Sequence, residues 1–158
     1  MRAEYINPFY QATQDVFRLM LSIETEQGKL GVVEDMVPGK EANVVIGVTG
    51  DLKGTILFSF PKEMVLEMVK IMSGMEMDEI DSFVSSALGE VANIVGGNAM
   101  TYLTANNLTC DIVPPQVFVG VNKSMSMASG KALLLPLITP IGEFEIYIFL
   151  KENRNPQA

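Results

Sequence analysis

Histidine is absent from this 158-residue chain, and cysteine occurs once, at Cys110. Without histidine, Ser-His-Asp and Cys-His catalysis, HExxH zinc sites and a phosphohistidine relay are all excluded. A single cysteine cannot form an internal disulfide or a cysteine-rich metal site, and it is more typical of a reducing compartment. We therefore predict no metal site of the chain's own, and any catalysis must use carboxylates, amides, hydroxyls, lysine or arginine.

Basic residues are also scarce. The chain has 11 lysines and arginines against 19 aspartates and glutamates, a net charge of -8. Such a charge repels the phosphates of nucleic acids and of anionic lipids, so we expect neither a nucleic acid nor a membrane as partner. A protein with a basic patch is the better expectation.

Long hydrophobic runs are lacking as well. The most apolar stretch, residues 132–150, is interrupted by Pro136, Pro140, Gly142, Glu143 and Glu145. A membrane span would bury these charges without partners, so the stretch predicts two strands and a turn. The charged N-terminus is not followed by an apolar segment of the kind that targeting signals have, and we expect a cytoplasmic protein.

What the chain does have is the composition of one globular domain. Hydrophobic residues make up 48% and charged residues 19% of it. A chain of this length buries enough surface for an independent core, so we expect a single domain over residues 1–158. The polar tail, residues 153–158, is expected to be frayed.

Hydrophobic periodicity predicts a mixed fold of helices and strands. The helices are expected at 6–23, 61–73 and 78–104, and the strands at 30–37, 43–49, 54–60, 110–119, 123–135 and 143–150. Each half of the chain then has the order helix, strand, strand, strand, which indicates an internal pseudo-repeat. The fold class is α/β of the α+β type, with a largely antiparallel sheet.

The third predicted helix has an unusual outer face. At about 100° per residue, one side carries Val84, Leu88, Val91, Val95, Ala99 and Tyr102, and the other carries Ser82, Ser86, Glu90, Asn93, Gly97 and Thr104. Exposed helix faces usually carry long, helix-favouring residues, and Gly97 alone costs about 0.8–1 kcal/mol relative to alanine. Small neighbours would leave the side chains of Glu90 and Asn93, one turn apart, protruding toward a partner.

Two interpretations of this face stay open from the spacing alone. A glutamate and an asparagine on a solvated helix are usually only solvated, and Gly96–Gly97 can serve close packing of the helix on a sheet. The combination of small neighbours with a carboxylate and a carboxamide, in a chain without histidine, favours a functional surface.

The spacing of these residues resembles a known signature. Ser86-x-x-x-Glu90-x-x-Asn93, followed by Pro114–Pro115, is similar to the motif of the CheC/CheX/FliY family of chemotaxis phosphatases. The motif proline has two candidates, and we take Pro115. The resemblance implies an α/β/α sandwich with a largely antiparallel sheet.

Other segments extend the resemblance over nearly the whole chain. Residues 89–99, the N-terminal Asn7-Pro8-Phe9 and the hairpin 50–54 look like CheX members in particular. The first helix has Gln11-Ala12-Thr13-Gln14 at the matching spacing, without the glutamate, as in members with one site.

The resemblance implies a phosphatase acting on a phosphorylated CheY-type response regulator. Asn93 would orient the attacking water, and Glu90 would pair with the regulator's active-site lysine. Ser86, Gly97 and Pro115 would line the contact. The Mg²⁺ would come with the regulator, and the protein would be a homodimer. The alternative function is a non-catalytic chemotaxis adaptor that binds a regulator or a receptor-modifying protein through the same helix.

Overall fold

The computed structural model describes residues 3–120 and 124–153. A 3-10 turn, Ala3–Tyr5, leads into the first of three helices, and the strands follow the chain in the order β1 to β8. The helices are α1 (Ile6–Leu21), α2 (Lys62–Ser73) and α3 (Ser82–Ala105). The strands are β1 (Glu26–Gln27), β2 (Gly31–Pro38), β3 (Ala42–Gly50), β4 (Leu52–Phe60), β5 (Cys110–Ile112), β6 (Gln116–Val119), β7 (Ser124–Thr139) and β8 (Gly142–Glu152).

All of these strands belong to one antiparallel sheet with the order β1-β7-β8-β4-β3-β5, in which β2 also pairs with β7 and β6 with β3. The central pair is β4 with β8, and each is flanked by the preceding strand of its own half. The outer strand of each half crosses over to pair with the other half, since β2 pairs with β7 while β5 and β6 pair with β3. This arrangement agrees with the predicted pseudo-repeat.

The strands alternate, so that every second side chain points toward the helices. In β4 these are Ile56, Phe58 and Phe60, and in β8 they are Phe144, Ile146 and Ile148, all buried in one large core. Residues of α1, α2 and α3 all join the same core, and Phe144 stacks on Phe17 of α1 and Phe60 of β4. The other face of the sheet buries a smaller cluster, formed by Val37, Leu57, Ala132, Tyr147 and Phe149.

The predicted α/β class with an antiparallel sheet is therefore confirmed, but its layering needs a correction. All three helices of the described chain cover the same face of the sheet, whereas an α/β/α sandwich has helices on both faces. Strand residues alone form the cluster on the opposite face.

None of the helices in the described ranges is long and apolar enough to cross a membrane.

Several element boundaries also differ from the prediction, and two of these differences have a direct physical cause. The strand expected over 110–119 is two strands, because Pro114 and Pro115 cannot donate ladder hydrogen bonds. The third helix begins at Ser82 rather than near residue 78, and the Asp81 carboxylate caps it by accepting the Val84 N–H at 2.9 Å. The predicted start of a strand at residue 123 and tail residues 154–158 lie outside the described residues.

Candidate functional site

Helix α3 presents one side to the core and the other to solvent, as its sequence predicts. Its core side is buried at Val84, Leu88, Val91, Val95 and Ala99. Tyr102, expected on that side, is only half-buried, and its hydroxyl donates to the Asp15 carboxylate of α1. The core contacts hold the backbone of α3 in place, so side chains on its outer face project from a rigid element.

The outer face of α3 and the chain around β6 form an open groove of about 380 Å³. Its lining comprises Ser85, Ser86, Gly89, Glu90, Asn93, Pro115 and Val117. Four of the five predicted site residues, Ser86, Glu90, Asn93 and Pro115, are thus brought together. Pro114 is exposed and lies outside this lining, which distinguishes the two proline candidates by position.

Gly97 lies one turn beyond Asn93 and is not among the lining residues. A β-carbon added there would meet no atom within 4 Å. At Gly96, by contrast, a β-carbon would lie 3.4 Å from Ile46 Cδ1 and 3.5 Å from Ile112 Cδ1. Close packing on the sheet therefore explains Gly96 but not Gly97, which faces open space.

The absence of a side chain at Gly89 brings the two walls of the groove together. A β-carbon at this residue would lie 3.3 Å from Val117 Cγ2 and 4.0 Å from Pro115 Cγ. Glycine therefore lets β6 and its preceding loop approach the helix backbone directly. As a result Pro115 lies beside the turn of α3 that carries Glu90 and Asn93.

The side chains of Glu90 and Asn93 in this groove have no hydrogen-bond or ion-pair partner among the described residues. Glu90 is exposed and Asn93 is half-buried. Within the described ranges neither forms a hydrogen bond or an ion pair, although five other carboxylates of the chain do pair with a basic side chain. The site therefore offers a carboxylate without a cation and a carboxamide that both donates and accepts hydrogen bonds.

One exposed aromatic residue near this site was not singled out from the sequence. Phe83 leaves 46% of its surface exposed, and it precedes Glu90 by seven residues, so both lie on the same side of α3. That spacing was the signal available in the sequence. Exposed aromatic side chains are typical of the residues that anchor protein interfaces.

Side chains that could hold a metal are not grouped in the described part of the chain. No three histidine, cysteine, aspartate or glutamate side chains there are close enough to hold a metal ion together. The groove itself has Glu90 as its one carboxylate among its lining residues. The groove therefore offers one carboxylate, one carboxamide and two serine hydroxyls.

Comparisons with known proteins agree on one family. Residues 42–137 match the family described as chemotaxis phosphatase CheX. The CheY-P phosphatase CheX of Thermotoga maritima is 29% identical over 155 residues, which cover 97% of this chain and 99% of that protein.

Solved structures give the same result. A chain in the crystal structure of the CheX-CheY-BeF3-Mg²⁺ complex from Borrelia burgdorferi is 33% identical with a TM-score of 0.79, and the match covers 96% of this chain and 100% of that one. A CheC-like superfamily protein from Shewanella sp. PV-4 has a TM-score of 0.87 at 27% identity, covering 96% and 99% of the two chains. These likenesses extend over nearly the full length of each protein.

Proposed function

This chain belongs to the CheX family of chemotaxis phosphatases, and from that premise we propose that it dephosphorylates a CheY-type response regulator through Asn93 and Glu90. The observation that carries the proposal is the open groove in which these two side chains lie without a partner in the described part of the chain. The relative from Thermotoga maritima is a CheY-P phosphatase, and the similar chain from Borrelia burgdorferi belongs to a CheX-CheY complex. Both support a CheY-type partner.

Asn93 is proposed to orient the attacking water. Hydrolysis of an aspartyl phosphate needs a water in line with the phosphorus and stabilisation of the phosphoryl oxygens. A carboxamide accepts a hydrogen bond from the water and donates one to an oxygen without changing its own charge. Asn93 lies near the middle of a 24-residue helix packed on the core, which keeps it in a defined position for this role.

Glu90 is proposed to dock the regulator by pairing with its active-site lysine. The carboxylate is exposed and has no cation of its own among the described residues, so a lysine from a partner would complete a charge-assisted contact. Ser86 and Pro115 line the same groove. Together with the open space at Gly97, they leave room for the partner to approach the helix backbone.

The Mg²⁺ of the reaction belongs, in this proposal, to the regulator. Its chemistry there is to neutralise charge on the phosphoryl oxygens. The presence of BeF3 and Mg²⁺ in the Borrelia burgdorferi complex supports this assignment.

The homodimer and the cytoplasmic location remain predictions. Light scattering would test for the homodimer, because it distinguishes a mass of 17.3 kDa from twice that value.

The central experiment measures the decay of the radiolabelled phosphoryl group of CheY with the phosphatase at substoichiometric concentration. Asn93→Ala should reduce the accelerated rate by on the order of 10²-fold, as the loss of one positioned polar group does in other active sites. Asn98→Ala is the matched control, because Asn98 is a half-buried asparagine of the same helix outside the groove. Unchanged decay with Asn93→Ala would remove this residue from the mechanism. Release of phosphate only at stoichiometric concentration would favour an adaptor.

Glu90→Gln tests the docking role separately. This variant should weaken binding to BeF3-activated CheY and raise KM, and the effect should diminish at high salt, where charge pairs are screened. Glu63→Gln on α2 is the matched control, since it removes an exposed carboxylate outside the groove. Wild-type affinity of Glu90→Gln would contradict the proposed salt bridge.

A further inference from the structure

A second groove lies on the sheet face opposite the helices. It has a volume of about 440 Å³, and its lining comprises Gly47, Val48, Thr49, Lys53, Gly54, Thr55, Phe149 and Lys151. The volume falls within the range of about 300–1,000 Å³ that is usual for small-molecule sites. None of its residues lines the groove around Glu90 and Asn93.

Two lysines face each other in this groove. Lys53 of β4 and Lys151 of β8 are directly opposite in the strand register, and both are exposed. Like charges at opposed positions of a sheet are destabilising. Lys151 Nζ also lies 5.7 Å from the centroid of the Phe149 ring, so one ammonium group lies over the apolar part of the groove.

These lysines lack the carboxylate partners that most basic residues of the chain have. Of the 11 basic residues, Arg2, Lys123 and Arg154 lie outside the described ranges, which leaves eight. Five of the eight form ion pairs: Arg18, Lys40, Lys62, Lys70 and Lys131. Lys53, Lys151 and the isolated Lys29 do not, within the described part of the chain. Two adjacent lysines without a carboxylate partner are unexpected in a chain with 19 acidic residues.

The acidic residue in the same row of the sheet does not neutralise the pair. Asp111 of β5 is opposite Thr49, so β3 separates it from the strand of Lys53. Its carboxylate accepts a hydrogen bond from the Ile112 N–H at 2.8 Å. The two ammonium groups therefore remain available to an anion from outside the chain.

The remainder of the groove has small side chains and one aromatic ring. Gly47, Thr55 and Phe149 form one row across β3, β4 and β8, next to the row of the two lysines. The Phe149 ring packs against the backbone of Gly130 in β7, where an added β-carbon would lie only 2.7 Å from its Cε2 atom, and 7% of the residue's surface stays exposed. Small side chains beside this ring leave space for an apolar or aromatic group.

We propose that this groove binds a small organic phosphate monoester, with the phosphate between Lys53 and Lys151 and the organic group against Phe149 and Thr55. A phosphate monoester carries a charge of about -1.5 to -2 near neutral pH, which matches two ammonium groups. Lysine binds phosphate as a point charge and does not require the geometry of an arginine fork. The assignment is independent of the proposed phosphatase function, since the two grooves share no residue.

The test is an NMR titration of the ¹⁵N-labelled full chain with phenyl phosphate. The amide signals of Gly47, Thr49, Gly54, Thr55 and Lys151 should shift saturably. Inorganic phosphate, which lacks the ring, and benzyl alcohol, which lacks the charge, should each bind at least about tenfold more weakly, because each makes only part of the contacts. No saturable shift, or shifts confined to residues 85–97, would overturn the proposal, and so would equal binding of benzyl alcohol.

Variants of the two lysines complete the test. Lys53→Gln and Lys151→Gln should each weaken phenyl phosphate binding by about tenfold, since each removes one of two charges. Both variants should fold, because the side chains are exposed and the substitution removes a like-charge contact. Lys29→Gln is the control and should change the affinity by less than about twofold, as exposed charges at a distance are screened. An equal loss with Lys29→Gln, or tighter binding of hexaglutamate than of phenyl phosphate at the same amides, would overturn the assignment.

Discussion

Gly89 of α3 and Val117 of β6 lie so close together that a β-carbon at residue 89 would be 3.3 Å from Val117 Cγ2. At Gly97, about two turns further along the helix, a β-carbon would meet nothing within 4 Å. Internal packing therefore accounts for the first glycine and not for the second. The reason proposed above for Gly97 is that a partner protein approaches the helix at this residue.

Alanine at Gly97 should consequently stabilise the isolated protein. Gly97→Ala is expected to raise the free energy of unfolding by about 0.8–1 kcal/mol, which is the difference in helix propensity. Gly89→Ala is the comparison. It should raise the free energy of unfolding by less, or lower it, because the Val117 side chain must move to make room for the added methyl group. Urea unfolding of both variants measures the difference. A destabilised Gly97→Ala protein would show that this residue has an internal role.

A larger side chain at the same position tests the partner contact. Gly97→Leu should fold, since the space is open, and should bind BeF3-activated CheY at least about tenfold more weakly, because the side chain would hold the two surfaces apart. Calorimetric titration of Gly97→Leu against Gly97→Ala isolates the effect of side-chain size. Wild-type affinity of the leucine variant would place Gly97 outside the docking surface.

Local signals in the sequence predicted all three helices to within about four residues at each end. Helix α2, expected over 61–73, spans Lys62–Ser73 and ends at Gly74 with φ +76°, a left-handed conformation that glycine favours. Long-range pairing was not predictable in the same way. Strand β2 pairs with β7 of the other half through contacts between residues about 100 positions apart. Hydrophobic periodicity is a local property and does not predict such contacts.

In the candidate site, too, local features could be predicted from the sequence and long-range ones could not. Helical spacing placed Glu90 and Asn93 together on the outer face of α3, because an α-helix converts sequence separation directly into direction. Their functional interpretation came from the resemblance to the family motif and stays a prediction. The choice between Pro114 and Pro115 depends on how the chain turns between β5 and β6. The sequence does not specify this turn at single-residue precision. Phe83 was missed because an aromatic residue near a helix start is usually part of a core.

Phe83 is expected to anchor the regulator at one end of the groove. Phe83→Ala should raise KM for phosphorylated CheY by about tenfold and leave kcat nearly unchanged, because an exposed anchor contributes to binding and not to water attack. Leu19→Ala on α1 is the matched control, as it removes another exposed apolar side chain, 84% accessible. Steady-state phosphate release provides both constants. A fall in kcat without a change in KM would contradict the anchoring role.

Asp81 is expected to stabilise the helix that carries the site. Its carboxylate accepts the Val84 N–H, so Asp81→Ala should lower the free energy of unfolding by about 1 kcal/mol. Asp81→Asn should retain most of this stability, since asparagine is an equally good N-cap. Asp78→Ala is the control, because Asp78 is exposed and precedes the helix. Equal stability of Asp81→Ala and Asp78→Ala in urea would rule out the cap as a significant contribution.

Cys110 is expected to react slowly with thiol reagents in the folded protein. It is half-buried, its Sγ accepts the Leu52 N–H at 3.4 Å, and burial raises the pKa of the thiol. At about pH 8 the folded protein should therefore react with Ellman's reagent at least about tenfold more slowly than the protein unfolded in urea.

The same shift gives a pH dependence of stability with a defined sign. Because the folded pKa lies above the unfolded one, the protonated thiol's contribution to stability is complete below the unfolded pKa and decreases as pH rises through the folded pKa. The free energy of unfolding of the wild type should consequently fall relative to that of Cys110→Ala between about pH 7 and pH 10. A constant difference between the two proteins over this range, or a native reaction rate equal to the unfolded one, would mean that Cys110 behaves as an exposed cysteine.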